Sequence, residues 1–156
     1  DHVGATGSGY IGDVTTLVDR LRVQAQRHRV VYDEPVDVNT LTRGLSEYLH
    51  EFTMYAVRPF GASILIAGAD ELGVQLIQVD PSGTAFRGSA FAIGQQSDDA
   101  IEAIVKGYRP DLNVEEALAL AARAIEGANG GGPVPIEHGI VMKDGRRFAH
   151  RAPKAG

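Results

Sequence analysis

A chain of 156 residues is long enough to bury a core of its own, and 44% hydrophobic with 22% charged content excludes wholesale disorder. A net charge of -5 leaves no basic face to recruit phosphate, which argues against general binding to nucleic acid or anionic membrane. The absence of cysteine rules out disulfide scaffolds, thiolate zinc sites and thiol nucleophiles. No apolar run approaches the roughly 18 residues of a membrane span, and the expected location is cytoplasmic.

The chain opens with DHVGATGSGYIGD, in which Gly7, Gly9 and Gly12 carry the spacing G-x-G-x-x-G after a short strand-like segment around Val3. It begins at Asp1, in that segment and without a methionine, so a preceding N-terminal portion is expected. Ile11, Val14, Val18, Leu21 and Ala25 recur at steps of three and four, which predicts an amphipathic helix ending near Tyr32. Pro35 enforces the break and biases Glu34 to an extended conformation. A second helix carries Val38, Leu41, Leu45, Leu49 and Phe52 on one face, with Asp37 as its N-cap. The short join implies an antiparallel helix pair.

The period then changes to two. ASILIAG (62–68), VQLIQVD (74–80) and TAFRGSAFAIG (84–94) are predicted strands, joined by turns short enough to require antiparallel neighbours. The run ILIA is apolar on both sides and reads as a strand covered on two faces. Ser97 is expected to cap a third helix reaching Tyr108, with Ile101, Ile104 and Val105 inward. Asn113 and Glu116 form a capping-box start to a fourth, carrying Val114, Leu118, Ala121 and Ile125 and ending at Gly127. A flexible glycine-rich loop (127–133) follows, then two strands, PIEHGIVM and RRFAHR, around Lys143, Asp144 and Gly145. The expected fold is α+β: one domain over 1–156, a layered sandwich of antiparallel sheet between helix pairs.

Candidate chemistry is sparse. A dinucleotide fingerprint needs its glycines between a parallel strand and a helix, followed by βαβ crossovers. Here everything after Phe60 is hairpin-connected, so the plainer reading is glycines easing a tight strand-to-helix turn. His2, His28, His50, His138 and His150 lack metal-ligand spacing. Ser8 lies outside a G-x-S-x-G elbow, and Ser82 and Thr84 have no evident base. The pairs Asp98-Asp99 and Glu115-Glu116 sit at helix starts, where they complement the macrodipole. Arg20, Arg22, Arg27 and Arg29 read as a solvated or subunit-facing helix surface.

One combination is more specific. LVDRLRVQAQRHRVVYDEP, then YAVRPFGASILIAGAD, QLIQVDPSGTAF and AFAIG, resembles the α-type subunit of the proteasome core particle in its archaeal-like form. The distinctive pieces are Arg58-Pro59-Phe60-Gly61 before a buried strand, the turn Asp80-Pro81-Ser82-Gly83, and AIG at 92–94 entering a helix. GYRPDLNVEEALALAARAI and IEHGIVMKDGRRF extend the likeness to nearly the whole chain.

The resemblance implies the fold of the N-terminal-nucleophile hydrolases, incomplete here at the N-terminus, with the gating tail and several strands preceding Asp1. The sheet of residues 62–94 would then present unpaired edges. It implies a non-catalytic role with no cofactor: a seven-membered ring with other α subunits, which restricts substrate access, contacts β subunits, admits unfolded proteins and receives an ATPase activator's C-terminal tail. The family's pore annulus maps to Tyr55, Ala56 and Val57, where the usual Tyr-Gly-Gly-Val is one residue shorter and lacks glycine. Activator docking maps to Gly9 and Tyr10. Two alternatives stand beside this reading: a nucleotide-dependent oxidoreductase built on Gly7, Gly9 and Gly12, and a divergent β-type threonine peptidase.

Overall fold

The computed structural model describes residues 2–55, 58–143 and 147–151, the last stretch by its backbone. In chain order the elements are β1 (Val3–Gly9), α1 (Ile11–Tyr32), α2 (Val38–Tyr55), β2 (Ala62–Asp70), β3 (Gly73–Val79), β4 (Ala85–Arg87), α3 (Ser97–Gly107), α4 (Val114–Ala128), β5 (His138–Met142) and β6 (Arg147–Arg151). Strands β1 to β4 form one antiparallel sheet in that order, and β5 pairs with β6 in a separate hairpin.

The glycine motif is resolved by this topology. Gly7 and Gly9 lie inside β1, paired to Ile64 and Ala62 of β2, rather than in a loop after a strand. With β1 antiparallel to its neighbour, the βαβ context a nucleotide fingerprint requires is missing, and the oxidoreductase alternative falls. Gly7 is small for a packing reason: a Cβ there would come within 2.7 Å of Ile64 and 2.8 Å of Val14. Pairing with β1 also makes β2 an interior strand, so the outer strands of the sheet are β1 and β4.

Helices α1 and α2 cover one face of the sheet. Arg20 stacks 3.5 Å over the Tyr48 ring, and Gln24 donates to the Thr40 carbonyl, so positions advance along α1 as they recede along α2: the pair is antiparallel. Asp33 ends α1 in the left-handed conformation, its N–H bonded to Arg29, before Pro35. Asp37 accepts the Thr40 N–H at 2.8 Å, as expected of a cap. A second carboxylate, Asp70 at the end of β2, accepts the Val38 N–H at 3.0 Å and the Gln75 amide at 2.7 Å, tying the β2–β3 turn to the start of α2.

The core lies between these layers. Val38, Leu41, Leu45 and Leu49 of α2 are buried as their spacing predicts, against Ala62, Ile64, Ile66, Ile77 and Val79 and against Leu17 and Leu21 of α1. The phase of α1 differs from expectation. Its ridge runs Asp13, Leu17, Leu21, whereas Ile11 is 83% exposed and Val14 and Val18 are half-buried. The opposite face of the sheet, with Leu65, Ala67 and Leu76, is half-buried. Thr6, Ser8 and Leu65 share a groove of about 670 Å³ with Ala100, Ile104 and Ala124, which places the α3–α4 pair on that side.

Three further expectations are corrected. The third strand of the meander is only Ala85–Arg87: Gly88 still bonds to Leu76, but the chain then folds back so that Phe91 lies over Gly88. Ser97 does not cap α3; Gln96, left-handed at φ 58, holds the N-cap position without a side-chain bond. Inward residues differ in part: in α3 Ile101 and Ile104 are half-buried as expected, but Ala100 is the buried residue and Val105 is 71% exposed, and in α4 Leu118 is half-buried while Leu120 and Ala124, rather than Val114, Ala121 and Ile125, are buried. The Asn113–Glu116 capping box is present with both of its bonds. α4 continues through Gly127 to Ala128, and the turn residues Asp144 and Gly145 lie outside the described residues.

Candidate functional site

The end of β1 and the segment before β2 converge on one small cluster. Gly9 closes β1 with φ 126, and a Cβ there would meet the Gly61 carbonyl oxygen and lie 2.8 Å from Ala62 Cα. Only glycine lets the two backbones cross at that distance. Tyr10 donates its N–H to Gly61 O at 2.9 Å, and its own carbonyl accepts from Asp13 and Val14, which opens α1. The Tyr10 ring is 68% exposed and lies across Gly61.

Asp13 is the polar centre. Though 8% exposed, it is fully partnered: Arg58 Nη1 and Nη2 donate to its two oxygens at 2.7 and 2.8 Å, and the Gly61 N–H donates at 2.8 Å. This is the two-armed geometry in which guanidinium and carboxylate match best. Hydrogen bonds from Arg58, then from the Gly61 amide, hold the Asp13 carboxyl down at about 2 against the opposing effect of burial. Arg58 also donates to the Pro59 carbonyl and sits 5.7 Å from the Tyr10 ring centroid.

The segment Arg58-Pro59-Phe60-Gly61 thus has a separate anchor at almost every residue. Arg58 reaches α1, Phe60 enters the core beside Phe52 and Tyr48 with ring centroids 4.6 and 5.6 Å away, and Gly61 leaves room for Tyr10. Pro59 biases Arg58 to an extended backbone. Just ahead of it, Tyr55 ends α2 with its side chain 84% exposed.

The turn after β3 is built by Asp80. One of its carboxylate oxygens accepts the Ser82 N–H, the Ser82 hydroxyl and the Thr84 N–H at 2.6 to 2.9 Å. Gly83, at φ 89, presses its backbone onto α2 at Ser46 and His50. Gly94, at φ 109, leaves the space occupied by the Ser8 hydroxyl. Among the described residues no group of His, Asp or Glu is placed to hold a metal ion, and no helix is long and apolar enough to cross a membrane.

Residues 1–132 match the proteasome subunit family. The chain belongs to that family. Its relatives include three archaeal proteins named proteasome subunit alpha. That of Methanopyrus kandleri is 37% identical over 153 residues, covering 96% of this chain and 62% of its own length. Those of Methanosarcina acetivorans and Archaeoglobus fulgidus are 36% and 38% identical over 99% of this chain, and 64% and 63% of their own length. This proteasome subunit therefore spans a little under two thirds of the relatives it matches.

The structure brings together several residues singled out from the family motifs of this proteasome subunit. Gly9, Tyr10, Arg58, Phe60 and Gly61 form the cluster above, while Tyr55 stands exposed at the end of α2. Asp80 and Gly83 belong to the β3–β4 turn, which docks on α2 at Gly83 and whose Pro81 lines a cavity together with Gly9 and Gly61. Ala56 and Val57 lie outside the described residues. The residue sequence reasoning passed over is Asp13. Its signal was faint: an acid in the first turn of α1, four residues before Leu17 on the ridge that proves to be buried.

Proposed function

We propose that this chain is a non-catalytic α-type subunit of a proteasome core particle, acting in the cytoplasm. It would form a seven-membered ring with other α subunits, stack on β subunits, and restrict the passage of unfolded proteins to a threonine-protease chamber that the β subunits supply. The observation that carries this reading is the near-complete alignment of the chain with archaeal proteasome α subunits, at 36 to 38% identity.

Within that reading, Tyr55, Ala56 and Val57 line the substrate pore, and Gly9 with Tyr10 receive the C-terminal tail of an ATPase activator. The exposure of the Tyr55 and Tyr10 rings supports both roles, since each leaves an aromatic surface free of the core. Exposed backbone at the Gly9 turn would add hydrogen-bonding groups for a peptide.

Peptidase assays test the division of labour. The full-length chain alone is expected to cleave no peptide. Combined with a proteasome β subunit it is expected to yield activity that vanishes when the β subunit's N-terminal threonine is replaced. Activity from this chain in the absence of any β subunit would overturn the proposal.

A further inference from the structure

Helix α4 ends in a glycine-rich cap. Gly130, left-handed at φ 85, donates its N–H to the Gly127 carbonyl at 3.3 Å, and Gly131 donates its own to the Glu126 carbonyl at 2.8 Å. These are the two bonds of a Schellman motif, in which Asn129 is the residue between the helix and the left-handed glycine. Asn129 and Gly130 are exposed, and a Cβ at Gly130 would meet nothing within 4 Å. The Gly130 nitrogen is thus open to solvent base, unshielded by a side chain, and held by the longer of the two cap bonds. Terminal turns of this kind open locally at little cost.

We propose that Asn129 is a site of spontaneous deamidation, with the Gly130 backbone nitrogen as the attacking group. That nitrogen, after losing its proton to solvent base, bonds to Asn129 Cγ; the Cγ–Nδ2 bond breaks and Nδ2 leaves as ammonia with a proton from water, closing a cyclic imide. Water then opens the ring. Cleavage at Cγ leaves aspartate at this position, and cleavage at the backbone carbonyl carbon leaves isoaspartate, whose chain runs on through Cβ and Cγ.

The chain's other asparagines are guarded. Asn39 lies in the first turn of α2 with its side chain bonded to Arg87, and the next amide, at Thr40, is taken by Asp37 at 2.8 Å. Asn113 is locked in its capping box and precedes the β-branched Val114. Isoaspartate at position 129 adds a backbone carbon between the helix and Gly130, so both cap bonds are lost, and the new carboxylate stands at a helix C-terminus, where the macrodipole opposes it. Asn129 lines the groove between the α3–α4 pair and the sheet, beside Ile125 and Pro135, so the rim of that groove loosens with the cap.

Peptide mapping by mass spectrometry of the full-length chain, aged at neutral and at mildly alkaline pH, tests this. Conversion at Asn129 is expected to outpace that at Asn39 and Asn113 by about tenfold or more, a margin equivalent to about 1.4 kcal/mol of activation free energy. It should rise with pH and yield both acids, the isoaspartate being detected with an isoaspartyl methyltransferase. Gly130→Ala is expected to slow it by crowding the nitrogen, and Asn129→Gln, whose ring would be larger, to nearly abolish it. Amide exchange at Gly131 should rise more in the aged chain than in Asn129→Asp, which adds the charge without the extra backbone carbon. Equal rates at all the asparagines, aspartate without isoaspartate, or a rate indifferent to pH and to Gly130→Ala would overturn the proposal. None of these measurements needs a β subunit, so the site stands or falls separately from the assembly reading.

Discussion

The backbone of Gly83 rests directly on the Ser46 carbonyl oxygen of α2, with the His50 nitrogen 3.0 Å from where a Cβ would stand. The short turn of residues 80–84 at the end of β3 is thereby docked on a helix nearly forty residues earlier in the chain. Gly83→Ala must strain the left-handed backbone and collide with α2, and is expected to cost about 1–3 kcal/mol or more. Gly73, at φ 102, has open space where its Cβ would be, so Gly73→Ala is expected to cost only about 1–2 kcal/mol. Denaturant midpoints of the two variants check the order; a larger loss at Gly73 would mean that the Gly83 turn is not docked as described.

Asp13 sets the acid limit of stability near the cluster. Its carboxyl is held at about 2, below an ordinary value of 3.8, so the contribution of its charge to folding is complete above pH 4 and is lost as pH falls from about 4 to 2. Asp13→Asn is expected to be less stable than the natural chain at pH 7, and the gap should close steadily as pH drops through that window. Thermal unfolding at pH 7, 5, 4 and 3 measures it. A gap that stays constant with pH would show that the carboxylate is not the stabilising form.

Leu45 is fully buried in the centre of the α2 ridge. Leu45→Ala leaves a cavity between helix and sheet and is expected to cost about 2–5 kcal/mol. Val23, 62% exposed on α1, should tolerate alanine within about 0.5 kcal/mol. Chemical denaturation distinguishes the two readily.

Asn113 accepts the Glu116 N–H at 2.9 Å while Glu116 returns a bond to the Asn113 N–H at 3.0 Å. Asn113→Ala is expected to cost about 1 kcal/mol, and Asn113→Ser much less, since serine restores the acceptor. Amide exchange in the first turn of α4 should rise in the alanine variant and leave the β2–β3 core untouched.

The parts of this fold that were legible in the sequence are those where one physical signal dominates. In α2 a single apolar stripe faces the sheet, and Val38, Leu41, Leu45 and Leu49 are all buried where the spacing puts them. In α1 the signal is divided: Leu17 and Val18 are adjacent, steps of three and four accommodate either, and the true ridge is headed by a charged residue that no apolar pattern would include. β1 was obscured for another reason. Strand pairing uses backbone groups, so a run of glycine and small residues pairs as well as any when its neighbours fill the space, as Ile64 and Val14 do at Gly7.

The site shows the same division. The motif Arg58-Pro59-Phe60-Gly61 stands out as a string, but the use of Arg58 and Gly61 depends on Asp13, 45 and 48 positions away, and on Tyr10. Such contacts leave no local trace. The early end of the third meander strand has a nearer cause: the chain turns back at once and lays Phe91 over Gly88.

The measurement that bears most directly on the proposed function is native mass spectrometry of the full-length chain co-expressed with a proteasome β subunit. The expected result is a ring of seven copies of this chain bound to β subunits. Monomers or dimers that ignore the β subunit would contradict the α-subunit reading.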